Sequence, residues 1–138
     1  MDFRNLPYVD GSIDTLVIDP PYVHTGRTFH AGLNRRYNNA STPGDHDSII
    51  RLYAAGLLEA ARVLKPKTGM LLVKCQDEIQ SGKQRFSHAE IITLLELFGY
   101  EVVDLFVLQQ THTPIMREKY QLHARKNHSY FLVGRFKK

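Results

Sequence analysis

The chain has 138 residues, 43% hydrophobic and 23% charged, which gives room for one globular domain with a modest core and excludes disordered and fibrous classes. Lys and Arg number 18 against 14 Asp and Glu, a formal charge of +4, so a polyanionic partner is allowed but not required. No apolar run is long enough to span a bilayer and no basic-then-apolar leader opens the chain, so a soluble cytoplasmic protein without a membrane partner is expected.

The first eight residues, Met1 to Tyr8, lead through the turn Asp10-Gly11-Ser12 to Thr15-Leu16-Val17-Ile18. That β-branched apolar run reads as a strand buried on both faces. It stops at Asp19-Pro20-Pro21-Tyr22, because neither proline can donate to a ladder. Val23 to Asp45 is a long polar connection with Arg27, His30, Arg35, Arg36 and Tyr37 and no acid before Asp45. A connection of that length in a small domain is usually functional or mobile, and a surface stretch that happens to be basic is the alternative.

Asp45 or Asp47 caps a helix in which Ile49, Ile50, Leu52, Tyr53, Leu57, Leu58, Ala61 and Val63 recur at helical spacing, ending at Lys65-Pro66. Met70 to Cys75 is a second strand, with Lys74 and Gln76 near its carboxyl end, and Ser81 to Arg85 reads as a polar loop. Ser87-His88-Ala89-Glu90 has the form of a capping box, opening a helix that Gly99 closes. Glu101 to Gln110 and His128 to Phe136 are the third and fourth strands. Between them, Thr111 to Asn127 sets Arg117, Lys119, His123, Arg125 and Lys126 against the single acid Glu118. No repeat or linker divides the chain.

Cys75 is the only cysteine and lies in an apolar strand, so it reads as a small buried thiol. The seven histidines show no two-cysteine or His-x-x-x-His pattern, so no metal site is expected.

The most specific stretch is Asp19-Pro20-Pro21-Tyr22 at the strand end. In open α/β sheets the ligand crevice lies outside the carboxyl ends of the strands. An ionised carboxylate, proline carbonyls and an aromatic face meeting there suit a planar group with an amine, such as a nucleobase. A plain turn would account for Asp-Pro alone, but the full tetrapeptide after an apolar strand points to the amine.

At these residues the chain resembles the S-adenosylmethionine-dependent DNA amino-methyltransferases, of the adenine-N6 or cytosine-N4 type. The resemblance implies that Asp19, Pro20, Pro21 and Tyr22 are catalytic: Asp19 and the Pro20 carbonyl hold the target amine while Tyr22 stacks on a flipped base. It further implies S-adenosyl-L-methionine as methyl donor, with Asp2, Phe3 and Asp19 on the cofactor side. The acid at the first motif position leans toward adenine. The phrase Ala60-Ala61-Arg62-Val63-Leu64-Lys65-Pro66, followed by Gly69 and a strand, is similar to one widespread in class I methyltransferases.

The implied fold is α/β: a partial Rossmann-like class I methyltransferase sheet of about four strands, the last antiparallel beside the third, with flanking helices. Residues 1–138 would form one domain, the catalytic half of that fold without its N-terminal glycine-rich cofactor loop. Weak or absent cofactor binding by this chain alone is then expected. The strand at 15–19 would lie at the sheet edge, so a homo-oligomer or a partner chain covering it is expected as well. DNA is the expected substrate, its phosphates met by Arg27, Arg35, Arg36, Tyr37, Arg117, Lys119, Arg125 and Lys126 from two connections flanking the motif. An inactive remnant, a nucleic-acid-binding module and an RNA or cytosine-N4 methyltransferase are the alternatives.

Overall fold

The computed structural model describes residues 2–20, 44–111 and 126–138. In chain order the elements are β1 (Thr15–Ile18), α1 (His46–Val63), β2 (Met70–Cys75), β3 (Glu78–Gln80), β4 (Lys83–Arg85), α2 (Ser87–Leu97), β5 (Tyr100–Gln109) and β6 (His128–Phe136). The main sheet has four strands in the order β1-β2-β6-β5, with β1 parallel to β2 and β6 antiparallel to both its neighbours. The expected fold class is therefore observed, and among the described residues β1 is an edge strand. The last strand lies beside the third and is also inserted between the second and third, so β2 and β5 point the same way.

Alternation along the strands decides where the core sits. The core cluster takes Ile18 from β1, Leu71, Val73 and Cys75 from β2, and Leu132 and Phe136 from β6, which are residues of one parity. Ile49, Tyr53, Leu57 and Ala60 of α1 and Ile91 and Leu95 of α2 pack against them. Both helices thus cover one sheet face. The opposite parity is open in part among the described residues: Val17 is 60% exposed, Phe106 55% and Leu108 50%, whereas Val133 and Ser129 on that face are buried. β1 is therefore not buried on both faces as expected: its Leu16 and Ile18 side meets the helices, whereas Val17 on the other side is exposed.

Asp45 is the helix cap that forms, its carboxylate accepting from the Ser48 amide at 2.7 Å. The capping box at Ser87 does not. The Ser87 hydroxyl is buried without a partner, and Glu90 turns to His46 instead. Asp77, from the loop after β2, supplies the acceptor at that helix start by taking the His88 amide at 3.3 Å. Ser81 to Arg85 is likewise no loop: Ser81 and Gly82, both at positive φ, turn β3 into β4 as a hairpin.

The N-terminal segment is fastened to α1. Glu59 accepts from the Leu6 amide at 2.7 Å, and the Arg62 guanidinium donates to the carbonyls of Leu6 at 3.0 Å and Tyr8 at 2.8 Å. The Arg62 guanidinium, and next the Leu6 amide, hold the Glu59 carboxyl below its ordinary range. No helix among the described residues is long and apolar enough to cross a membrane.

Candidate active site

Asp19 and Pro20 follow the carboxyl end of β1. Ile18 is opposite Val73 in the parallel register, so Asp19 is one step beyond the last pair, beside Lys74. Thr15, Val17 and Asp19 alternate onto the face that carries Met70, Leu72 and Lys74, opposite the helices. Lys74 is in turn opposite Phe131, and Phe131 opposite Phe106. One row, Asp19, Lys74, Phe131 and Phe106, therefore crosses all four strands on the open face.

Within that row the Lys74 ammonium is 3.0 Å from Asp19 Oδ2, with the Lys74 side chain 21% and the Asp19 side chain 51% exposed. The ammonium also lies 5.9 Å from the centre of the Phe131 ring. From the helix side, the Tyr53 hydroxyl donates to the Lys74 carbonyl at 2.7 Å and anchors the strand backbone at this point. The acid of the motif thus comes with a cation on the adjoining strand. The place of Lys74 near the end of β2 is legible in the sequence but its partner is not, because the pairing requires the parallel register of two strands whose residues here are 55 positions apart.

A second polar group is gathered beyond β2. His88 Nδ1 is 2.6 Å from Asp77 Oδ1, and the His88 ring stacks on Tyr130 at 4.3 Å between centroids. The Gln76 amide donates to the His128 carbonyl at 2.8 Å, and His128 Nε2 is 3.1 Å from the Tyr130 hydroxyl. Burial, and then the Asp77 charge, push the Tyr130 phenol up from its ordinary range. Nearby, buried His46 meets Glu78 through Nδ1 and Glu90 through Nε2, each at 2.8 Å. Burial opposes its charged form, yet the two carboxylates prevail and raise the imidazole above its ordinary value.

The residues expected on the cofactor side are engaged within the chain. Asp2 accepts from the Arg4 side chain at 2.7–3.2 Å and from its amide at 3.0 Å, and these bonds bring its carboxyl down to about 2. The Phe3 ring packs on α1 at Gly56 and against the core. No glycine directly follows the carboxyl end of β1, β2 or β5 among the described residues.

Lys126 is half-buried, and its carbonyl is 3.5 Å from the Gln76 amide nitrogen. Pro21, Tyr22, Arg27, Arg35, Arg36, Tyr37, Arg117, Lys119 and Arg125 lie outside the described residues.

No protein-family model matches the chain, nor does the sequence of any curated protein. Solved structures do. A protein of Thermus thermophilus assigned as a DNA modification methylase superposes with a TM-score of 0.65 at 17% identity, over 100% of this chain and 52% of its own. The same protein complexed with S-adenosyl-L-methionine gives 0.63 at 20% identity, over 99% and 54%. The cytosine-N4-specific PvuII DNA methyltransferase gives 0.66 at 12% identity, over 96% and 46%. The chain thus spans about half the length of these structures, and the shared architecture is a partial class I methyltransferase fold.

Proposed function

We propose that this chain carries the target-amine site of a DNA amino-methyltransferase, with adenine N6 as the acceptor. The observation that carries the reading is the position of Asp19 and Pro20 at the carboxyl end of a parallel strand, beside an open sheet face and within a methyltransferase-type sheet. Asp19 accepts one amine hydrogen and the Pro20 carbonyl the other, which orients the nitrogen and stabilises positive charge as it develops there. Tyr22 stacks on the flipped base, and Pro21 is proposed to act with it as part of the motif. S-adenosyl-L-methionine supplies the methyl group when bound. Asp2, Phe3 and Asp19 are its proposed contacts here, and the remainder of its pocket comes from residues other than those described. Affinity of this chain alone for the donor is accordingly weak in this reading.

Arg27, Arg35, Arg36, Tyr37, Arg117, Lys119, Arg125 and Lys126 are the proposed DNA contacts, on grounds of their charge and of the basic composition of the two sequence stretches that hold them. A homo-oligomer, or a partner chain over the β1 edge, is proposed because the outer edge of that strand is unpaired among the described residues and Val17 is exposed. Sedimentation should then show a species heavier than one chain, and a strict monomer would remove this part of the reading.

A second acceptor, cytosine N4, is favoured by the likeness to the PvuII enzyme, which is cytosine-N4-specific. Both readings are tested by expressing the full gene in a host that lacks amino-methylases and analysing its hydrolysed DNA by mass spectrometry. N6-methyladenine is expected, and its loss with Asp19→Ala. N4-methylcytosine would move the assignment to the second acceptor. DNA without either product, or transfer undiminished by Asp19→Ala, would overturn the catalytic reading.

A further inference from the structure

We propose that Lys74 is a substrate-reading residue: with Asp19 it forms an acceptor–donor pair that binds the amidine edge of the target base. This rests on the amine-binding reading above and adds a second point of contact to it.

The parallel register of β1 and β2 sets Asp19 and Lys74 side by side on the open face, where Oδ2 and Nζ are 3.0 Å apart. An ammonium has three donors, so it can serve a carboxylate and a further acceptor together. Tyr53 pins the strand from below through the Lys74 carbonyl at 2.7 Å, and Phe131 lies alongside the ammonium at 5.9 Å, so the cation is held next to the carboxylate. A carboxylate oxygen and an ammonium held together present an acceptor and a donor in the order that a single Asn or Gln amide presents them. That order is the complement of an exocyclic amine beside an unprotonated ring nitrogen.

Adenine, through N6–H and N1, and cytosine, through N4–H and N3, both have such an edge. Asp19 accepts from the amine while Lys74 donates to the ring nitrogen. On the Watson–Crick edge, guanine and thymine place a carbonyl oxygen where these bases place the amine, and the ring nitrogen beside it carries a hydrogen. With the Pro20 carbonyl as a further acceptor, that oxygen would stand unpaired against acceptors. Asp19 alone selects for any amine. Asp19 with Lys74 selects for an amine attached to a C=N, or for the equivalent edge of a primary amide.

The test is a binding measurement and needs no turnover. The full chain is titrated with a short single-stranded thymine run carrying one central adenine, purine or 1-deazaadenine, followed by NMR at the Ile18 methyl groups. Purine lacks the amine, whereas 1-deazaadenine keeps it and replaces N1 by a C–H. On the wild-type chain the 1-deazaadenine strand is expected to bind about tenfold more weakly than the adenine strand. Lys74→Met, which keeps the side-chain stem, is expected to bind both strands alike, and Lys74→Arg to restore the difference. If adenine outbinds purine but matches 1-deazaadenine, or if Lys74→Met leaves the ratio unchanged, the role of Lys74 is overturned and the amine-binding reading stands. If purine binds the wild-type chain as well as adenine does, both fall.

Discussion

His46 Nδ1 lies 2.8 Å from Glu78 Oε1, and the opposite ring nitrogen lies 2.8 Å from Glu90, so one buried imidazole ties the start of α1 to the β3–β4 hairpin and to α2. Two carboxylates on one ring favour the imidazolium against the penalty of its burial and raise its value above 6.5. The stabilisation is complete below that ordinary value and is lost as pH rises through the higher folded-state value. Urea unfolding should therefore find the protein less stable at pH 9 than at pH 6. In His46→Leu this decline should flatten, with a loss of about 2 kcal/mol at pH 6 because buried Glu78 loses its bond to the imidazolium. Equal slopes for the two proteins would refute the assignment.

The start of α2 depends on Asp77 and not on Ser87. Asp77, 4% exposed, accepts from both the amide and the ring of His88, whereas the Ser87 hydroxyl makes no bond. Asp77→Asn should cost about 1–2 kcal/mol and Ser87→Ala a few tenths at most, both read from denaturant midpoints. The reverse ranking would restore the capping box.

Cys75 is fully buried in β2, and burial, followed by the Asp77 charge, pushes its thiol up to about 12. A disulfide reagent at pH 8 should label the native chain only at the rate of its unfolding and label the urea-unfolded chain at once. Fast native labelling would show that the strand opens locally.

Gly56 is buried in mid-helix, and a methyl group there would overlap the Phe3 ring at Cε2 and Cδ2. Alanine is the better helix former by about 1 kcal/mol, so an isolated helix would gain from the change. In this fold Gly56→Ala should instead lower stability by about 1 kcal/mol, as displacement of the ring outweighs the gain. A higher melting temperature would mean that Phe3 moves aside without cost.

Periodicity made α1, β2, β5 and β6 legible within a residue or so, since their apolar positions recur at helical or strand spacing over long runs. The hairpin at 78–85 was not legible, because its three-residue strands carry mostly polar side chains and its turn depends on a positive φ at Ser81. The capping box was a sound local pattern that lost to tertiary contacts: Glu90 is drawn to a histidine 44 residues away.

Residue types within a short span of chain determined the strand that stops at Asp19 and Pro20, the cap at Asp45 and the burial of Cys75. Local sterics, the missing proline N–H and apolar spacing act between neighbours in sequence, and so can be read there. Only the tertiary structure decided that one face of β1 is open, that β6 enters between β2 and β5, and that Lys74 stands against Asp19. Those facts depend on strand order and register, which join residues that no local pattern links. The motif supplies a carboxylate at the strand end, and the fold sets a cation beside it.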